Sequence, residues 1–159
     1  QIRSSAASDV YKRQNHNFKL IEGLEADDTI GIEATRHPDP SNIIVSPDKD
    51  MRQIPCVLWN MTDDVVEITE QEGDKWHLIQ ALSGDPTDGY SGCPGIGVKR
   101  ATELLNKNEN QWEAVCKAYR DRGLSDDDAL LNARLAKILR DENYDHDRNQ
   151  PILWNPKTC

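Results

Sequence analysis

Seven carboxylates in three separated stretches hold the chemistry this sequence could do. They are Glu25, Asp27 and Asp28 in Glu25-Ala26-Asp27-Asp28, Asp48 and Asp50 in Ser46-Pro47-Asp48-Lys49-Asp50, and Asp85 and Asp88 in Gly84-Asp85-Pro86-Thr87-Asp88. Each group lies at the edge of an expected secondary element. Gathered without cations they would repel, at about 4 kcal/mol for each pair about 4 Å apart in an effective dielectric near 20. Divalent ions would offset that repulsion. The four histidines and four cysteines are scattered without ligand spacing, so an all-oxygen set favours Mg²⁺ or Mn²⁺ over Zn²⁺.

A second kind of chemistry follows the third acidic group. Pro94-Gly95-Ile96-Gly97 forms a tight turn that opens onto Val98-Lys99-Arg100-Ala101, the first turn of an expected helix. Glycines there let another backbone come close, and the bare N–H groups of a helix start suit an anion. A hard-cation site beside a phosphate site is what phosphodiester hydrolysis requires. Plainer readings stand beside these. Gly-Pro clusters are commonly simple turns, acidic loops are commonly solvated, and Pro-Asp-Lys-Asp is good turn chemistry. Carboxylates in a first helical turn also complement the helix dipole, by about 0.3–1 kcal/mol each. Gly95-x-Gly97 lacks the third glycine of a dinucleotide site, and no Gly-Lys-Ser/Thr follows to make a nucleotide phosphate loop.

The elements that must position these residues alternate in type. Leu24 to Thr35 reads as a helix with Ala26, Ile30 and Ala34 on one buried face, stopped by His37-Pro38-Asp39-Pro40. Asn42 to Val45 reads as a short strand buried on both sides of a mainly parallel sheet, which would project Asp48 and Asp50 together from its carboxyl end. Cys56 to Trp59 is a further strand, and Val65 to Thr69 a strand or edge. Asp74 is a candidate cap for a helix running to about Ser83. Helices follow from Val98 to Leu105, through Trp112, Val115, Cys116 and Tyr119, and after Ser125 with Leu131, Leu135, Ile138 and Leu139 inward. Pro151 to Trp154 reads as extended.

The chain has 159 residues, 36% of them hydrophobic, enough for one domain or a small domain with an appended piece. Its net charge of −9 argues against binding nucleic acid by overall charge, yet not against a site where metals reverse the local sign. Lys99, Arg100 and Lys107 form a basic island. No apolar run reaches membrane-spanning length, and scattered cysteines without a secretory leader suggest reduced thiols and a cytoplasmic setting. Residues 1–14 read as a non-native or disordered leader.

The three acidic motifs, in this order and with the third running on through Gly89-Tyr90-Ser91-Gly92-Cys93-Pro94-Gly95-Ile96-Gly97, resemble the flap endonuclease and 5′→3′ exonuclease family. The later helices and Pro151-Ile152-Leu153-Trp154-Asn155-Pro156 resemble the stand-alone exonucleases of tailed bacteriophages. The resemblance covers roughly Phe18 to Pro156. It implies an α/β fold: the C-terminal part of a PIN-like core with a mainly parallel sheet over residues 15–83, then a helix–three-turn–helix module and C-terminal helices over residues 84–159. It also implies two-metal hydrolysis of phosphodiesters near a 5′ end. Carried over by position, Glu25, Asp27, Asp28, Asp48, Asp50, Asp85 and Asp88 would hold or surround two Mg²⁺ ions, with Mn²⁺ as substitute. Gly95, Ile96, Gly97, Lys99 and Arg100 would grip a duplex backbone, with K⁺ at the turn.

The resemblance further implies duplex or flap DNA as partner, RNA–DNA hybrids as a further substrate, a monomer, no membrane, and the cytoplasm of a phage-infected bacterium. Two departures qualify it. Family members usually carry Asn where Gly89 stands. Nothing upstream of Glu25 matches the family's opening strand, its acidic ligands or its basic gateway. The expectation is therefore a nuclease fragment of weak or no activity. A duplex-binding remnant without catalysis is the alternative, and a PIN-like ribonuclease a third reading, disfavoured because such enzymes lack the Pro94-Gly95-Ile96-Gly97 module.

Overall fold

Three β-branched runs pair as strands, but only one face of their sheet is buried. The structure, a computed structural model, describes residues 19, 21–39, 41–62 and 65–156; the leader at 1–14 and Cys159 lie outside them. Strand β1 (Ile43–Val45) pairs in parallel with β2 (Cys56–Trp59), and β2 pairs antiparallel with β3 (Val65–Ile68). The expected mainly parallel sheet is, among the described residues, one parallel and one antiparallel pairing. Because side chains alternate along a strand, Leu58 and Ile68 turn to one face, where they meet Met51, Ile54 and Ile138. Ile43, Val45, Trp59 and Val65 turn to the other and stay exposed. The reading of Asn42 to Val45 as a strand buried on both sides is thus corrected: among the described residues β1 is the edge of the sheet, and Ile43 and Val45 are exposed.

Helix α1 (Ala26–Arg36) starts two residues later than Leu24 and buries Thr29, Gly31 and Ile32; of the expected face Ala34 packs partly buried against the core under the sheet, whereas Ala26 and Ile30 are exposed. Close backbone approach decides the face. A methyl at Gly31 would sit 2.2 Å from the Leu139 carbonyl oxygen. Two polar bonds hold the contact, from Leu139 N–H to Asp28 Oδ1 (2.9 Å) and from Asp141 N–H to Thr35 Oγ1 (2.8 Å). Hydrophobic periodicity reports none of these.

Helix α2 (Glu70–Ser83) is capped by Thr69 and not by Asp74. Thr69 and Glu72 form a reciprocal capping box, while Asp74 pairs with the buried Arg140 at 2.8 Å. Helices α3 (Val98–Asn106), α4 (Gln111–Arg120) and α5 (Asp126–Leu135) follow. Their core joins Leu78, Ile79 and Leu82 of α2 to Ala101, Leu105, Val115, Cys116, Tyr119 and Ala129. The amphipathic reading of α4 is matched: Val115, Cys116 and Tyr119 are buried and Trp112 packs at the margin. That of α5 is corrected. Leu131 and Leu135 are exposed, and Ala129 and Ala133 face inward, because small side chains let α5 press on α2. His77 Nε2 there lies 2.7 Å from the Ala133 carbonyl. Ile138 packs instead beneath the sheet.

The tail makes a two-residue ladder of β4 (Tyr144–Asp145) with β5 (Gln150–Pro151). Trp154 then stacks edge-on against His77 and Trp112. Cys56, Cys93 and Cys116 are free thiols. No helix among the described residues is long and apolar enough to cross a membrane.

Candidate active site

The loop that presents Asp85 and Asp88 is closed by its own backbone. Asp85 and Tyr90 exchange N–H···O bonds of 3.0 and 3.2 Å, and Thr87 N–H donates to Asp85 Oδ1 at 2.9 Å. Gly84 and Gly92, both at positive φ, close its neck. Gly89 also has positive φ, of 82°. Asn tolerates that region best after glycine, so the departure from the family's Asn keeps the backbone shape.

Asp48 and Asp50 do not lie side by side on an extended segment. Residues Lys49–Gln53 form a 3₁₀ helix, and Asp48 caps it by accepting the Asp50 N–H at 2.9 Å. Turn chemistry therefore prevails over the strand-end reading. The consequence is a division of labour: Asp48 stays exposed, whereas Asp50 turns inward and accepts a 2.6 Å bond from Gln80 Nε2. Lys49, between them, reaches Asp85 Oδ2 at 2.7 Å.

One carboxylate oxygen from each of Asp50, Asp85 and Asp88 lies within 4.8 Å of the others. Electrostatics follow from that crowding. Burial raises the Asp50 pKa, and the charges of Asp48, Asp88 and Asp85 raise it further, against Lys49. The Lys49 hydrogen bond and the Thr87 N–H hold Asp85 below the ordinary carboxylate value. Lys49 is raised in return, chiefly by its bond to Asp85. An all-carboxylate cluster that already draws in an ammonium fits a hard divalent cation by donor type and charge.

An open cleft of about 800 Å³ runs past this group, lined by Glu25, Asp27, Asp28, Asp48, Asp50 and Asp88. The three acidic segments thus meet at one cleft. Glu25, Asp27 and Asp28 line it without joining the tight group. Asp28 is half engaged in structure through Leu139, and burial raises its pKa.

The glycine turn lies at the start of α3. Ile96 is buried in the helical core, so only its backbone is open to a ligand. Gly95 has φ 73° and its carbonyl accepts from Arg100 Nη1 at 2.8 Å. Gly97 is the N-cap, with φ −96°, and a methyl there would meet nothing within 4 Å. Neither strain nor packing calls for glycine at 97. Lys99 and Arg100 are exposed.

No family model matches the chain. Curated relatives do. It is 31% identical to the exonuclease of Escherichia phage T7, over 84% of this chain and 56% of the relative. It is 29% identical to the exodeoxyribonuclease of Enterobacteria phage T3, over 85% and 56%. A 5′-3′ exonuclease of Mycobacterium tuberculosis is 33% identical over 54% of this chain and 34% of its own length.

The chain is similar over most of its length to the two phage exonucleases, and over about half of it to the bacterial 5′-3′ exonuclease. It spans about half the length of the phage relatives. Sequence reasoning singled out the carboxylates that line the cleft or crowd beside it, but missed Lys49 and Gln80 as their partners. Lys49 was legible only as part of a turn. Gln80 had a signal: a glutamine among Leu78, Ile79 and Ala81 on a buried helix asks for a polar partner.

Proposed function

We propose that this chain carries the metal-binding carboxylates and the duplex-gripping turn of a metal-dependent 5′→3′ exonuclease acting on 5′ ends and flaps of DNA, and on RNA–DNA hybrids. The observation that carries the reading is the convergence of the three acidic segments on one cleft, with Asp50, Asp85 and Asp88 within 4.8 Å of one another. The phage and bacterial relatives support it. On this reading residues 15–83 contribute to a PIN-like core and residues 84–159 form a helix–three-turn–helix module.

Asp50, Asp85 and Asp88 would hold Mg²⁺, with Asp48, Glu25, Asp27 and Asp28 around it. Bound divalent ions supply activation of a water nucleophile and stabilisation of the leaving oxygen. The protein's own part is to aim these carboxylates. Lys49 does this for Asp85, and Gln80 for Asp50. Gly95 and Gly97 leave backbone open for a phosphate, Lys99 and Arg100 add positive charge, and K⁺ at the turn would complete the grip. Such contacts orient a duplex without reading its sequence.

The test is cleavage of a 5′-labelled flap duplex in Mg²⁺ by this chain and by an Asp50→Ala, Asp88→Ala double variant. Cleavage by the parent that the variant loses is the expected result. Cleavage surviving in the variant would overturn the site. Duplex binding without cleavage in either would favour a duplex-binding piece.

A further inference from the structure

The chain of side-chain amides behind Asp50 can be written in only one direction. Ile138 N–H can only donate, and it donates to Gln53 Oε1 at 3.1 Å. Ala136 C=O can only accept, and it accepts from Gln53 Nε2 at 2.5 Å. Two backbone groups therefore fix which end of the Gln53 amide is nitrogen. The second hydrogen of that nitrogen goes to Gln80 Oε1 at 2.7 Å. Gln80 must then turn its own nitrogen to Asp50, as it does at 2.6 Å. Flipping Gln80 would set oxygen against the Asp50 carboxylate and nitrogen against nitrogen at Gln53. Both glutamines are almost wholly buried, at 1% and 4% exposure, so water cannot repair a flipped pair.

We infer that Gln80 is a positioning residue for Asp50: its amide, locked by Gln53, holds one Asp50 oxygen and leaves the other for the cation. The inference rests on the reading of Asp50, Asp85 and Asp88 as a divalent-cation site. It adds that the site's aim is set from the backbone at Ala136 and Ile138. Outer partners of this kind typically change metal affinity by 10–100-fold when removed. Gln80→Met conserves volume and removes both polar ends.

The experiment titrates the protein with Mn²⁺, following free ion by electron paramagnetic resonance well below the melting temperature. The Gln80→Met variant is expected to bind about 10-fold more weakly than the parent. A second measurement needs no variant: the Gln80 side-chain N–H signals in ¹⁵N spectra are expected to shift as Mg²⁺ is added. Equal Mn²⁺ affinity in parent and variant, or Gln80 signals that ignore Mg²⁺ while other signals near the cluster move, would overturn the inference and leave the cation site standing. A parent chain that binds no Mn²⁺ would overturn the cation site, and this inference with it.

Discussion

Gly84 and Gly92 meet backbone to backbone: a methyl built on Gly92 would lie 2.3 Å from Gly84 N, and one on Gly84 would lie 2.4 Å from the carbonyl carbon of Ser91. Both residues also have positive φ. The neck of the acidic loop is therefore shut by two peptide units with no side chain between them. Gly92→Ala is expected to cost about 1–3 kcal/mol from backbone strain, with added cost as the neck is prised open. Urea unfolding measures the loss. Faster hydrogen exchange at the Asp85 and Tyr90 amides would show that the loop has opened.

Lys49 supplies positive charge to the crowded carboxylates of Asp50, Asp85 and Asp88. Its side chain is well exposed, so the pair with Asp85 is worth no more than about 1 kcal/mol. Lys49→Met is expected to lower the melting temperature in EDTA and to gain more from added Mg²⁺ than the parent does. Equal gains in parent and variant, read by calorimetry, would mean that Lys49 does not offset the carboxylate repulsion.

On the proposed reading, Gly97 serves the duplex rather than the fold. A methyl there has open space, and φ −96° suits any residue. Gly97→Ala should leave stability within about 0.5 kcal/mol of the parent. If the turn grips a duplex as proposed, affinity followed by fluorescence anisotropy at fixed salt should fall several-fold, because the methyl would stand in the way of the phosphate. Unchanged affinity would remove Gly97 from the interface.

His77 makes stability depend on pH from the middle of the helical core. Burial, aided by the charges of Lys137 and Arg140, pushes its pKa down to about 3. The folded protein thus keeps the ring neutral where the unfolded chain, near 6.5, takes up a proton. Folding is fully favoured above pH 6.5 and loses ground as pH falls from there toward 3, by up to about 1.4 kcal/mol per unit. Urea midpoints at pH 7, 6 and 5 should decline in step. His77→Gln, which can still donate to the Ala133 carbonyl, should flatten that decline between pH 6.5 and 5.

How much of this was legible in the sequence depends on whether the signal was local. The capping box at Ser125, the amphipathic face of α4 and the bounds of β2 rest on neighbouring residues and are found from them. The cap of α2 was legible too, in Thr69-x-x-Glu72, a pattern passed over for Asp74. Other features have no local signal. The buried face of α1 is chosen by Leu139, more than a hundred residues away, and the inward face of α5 by a histidine on α2. The carboxylates were legible as a set because their residue types are shared. Which three crowd together, and that Asp50 turns inward while Asp48 caps, depends on a 3₁₀ turn of one local sequence against another.

Gln53 ties the 3₁₀ turn, α2 and the segment after α5 into one polar knot. Its backbone carbonyl also accepts from the buried Arg140, at 2.6 Å. Ile138 N–H belongs to no helix or strand, yet it donates to this buried amide. An amide in a connecting segment normally trades its hydrogen quickly with water. This one should trade as slowly as the amides at the centre of α2, because releasing it means parting three elements at once. The floor of the acidic cleft at Ala136 and Ile138 should then open only together with the body of the protein, as a single cooperative unit.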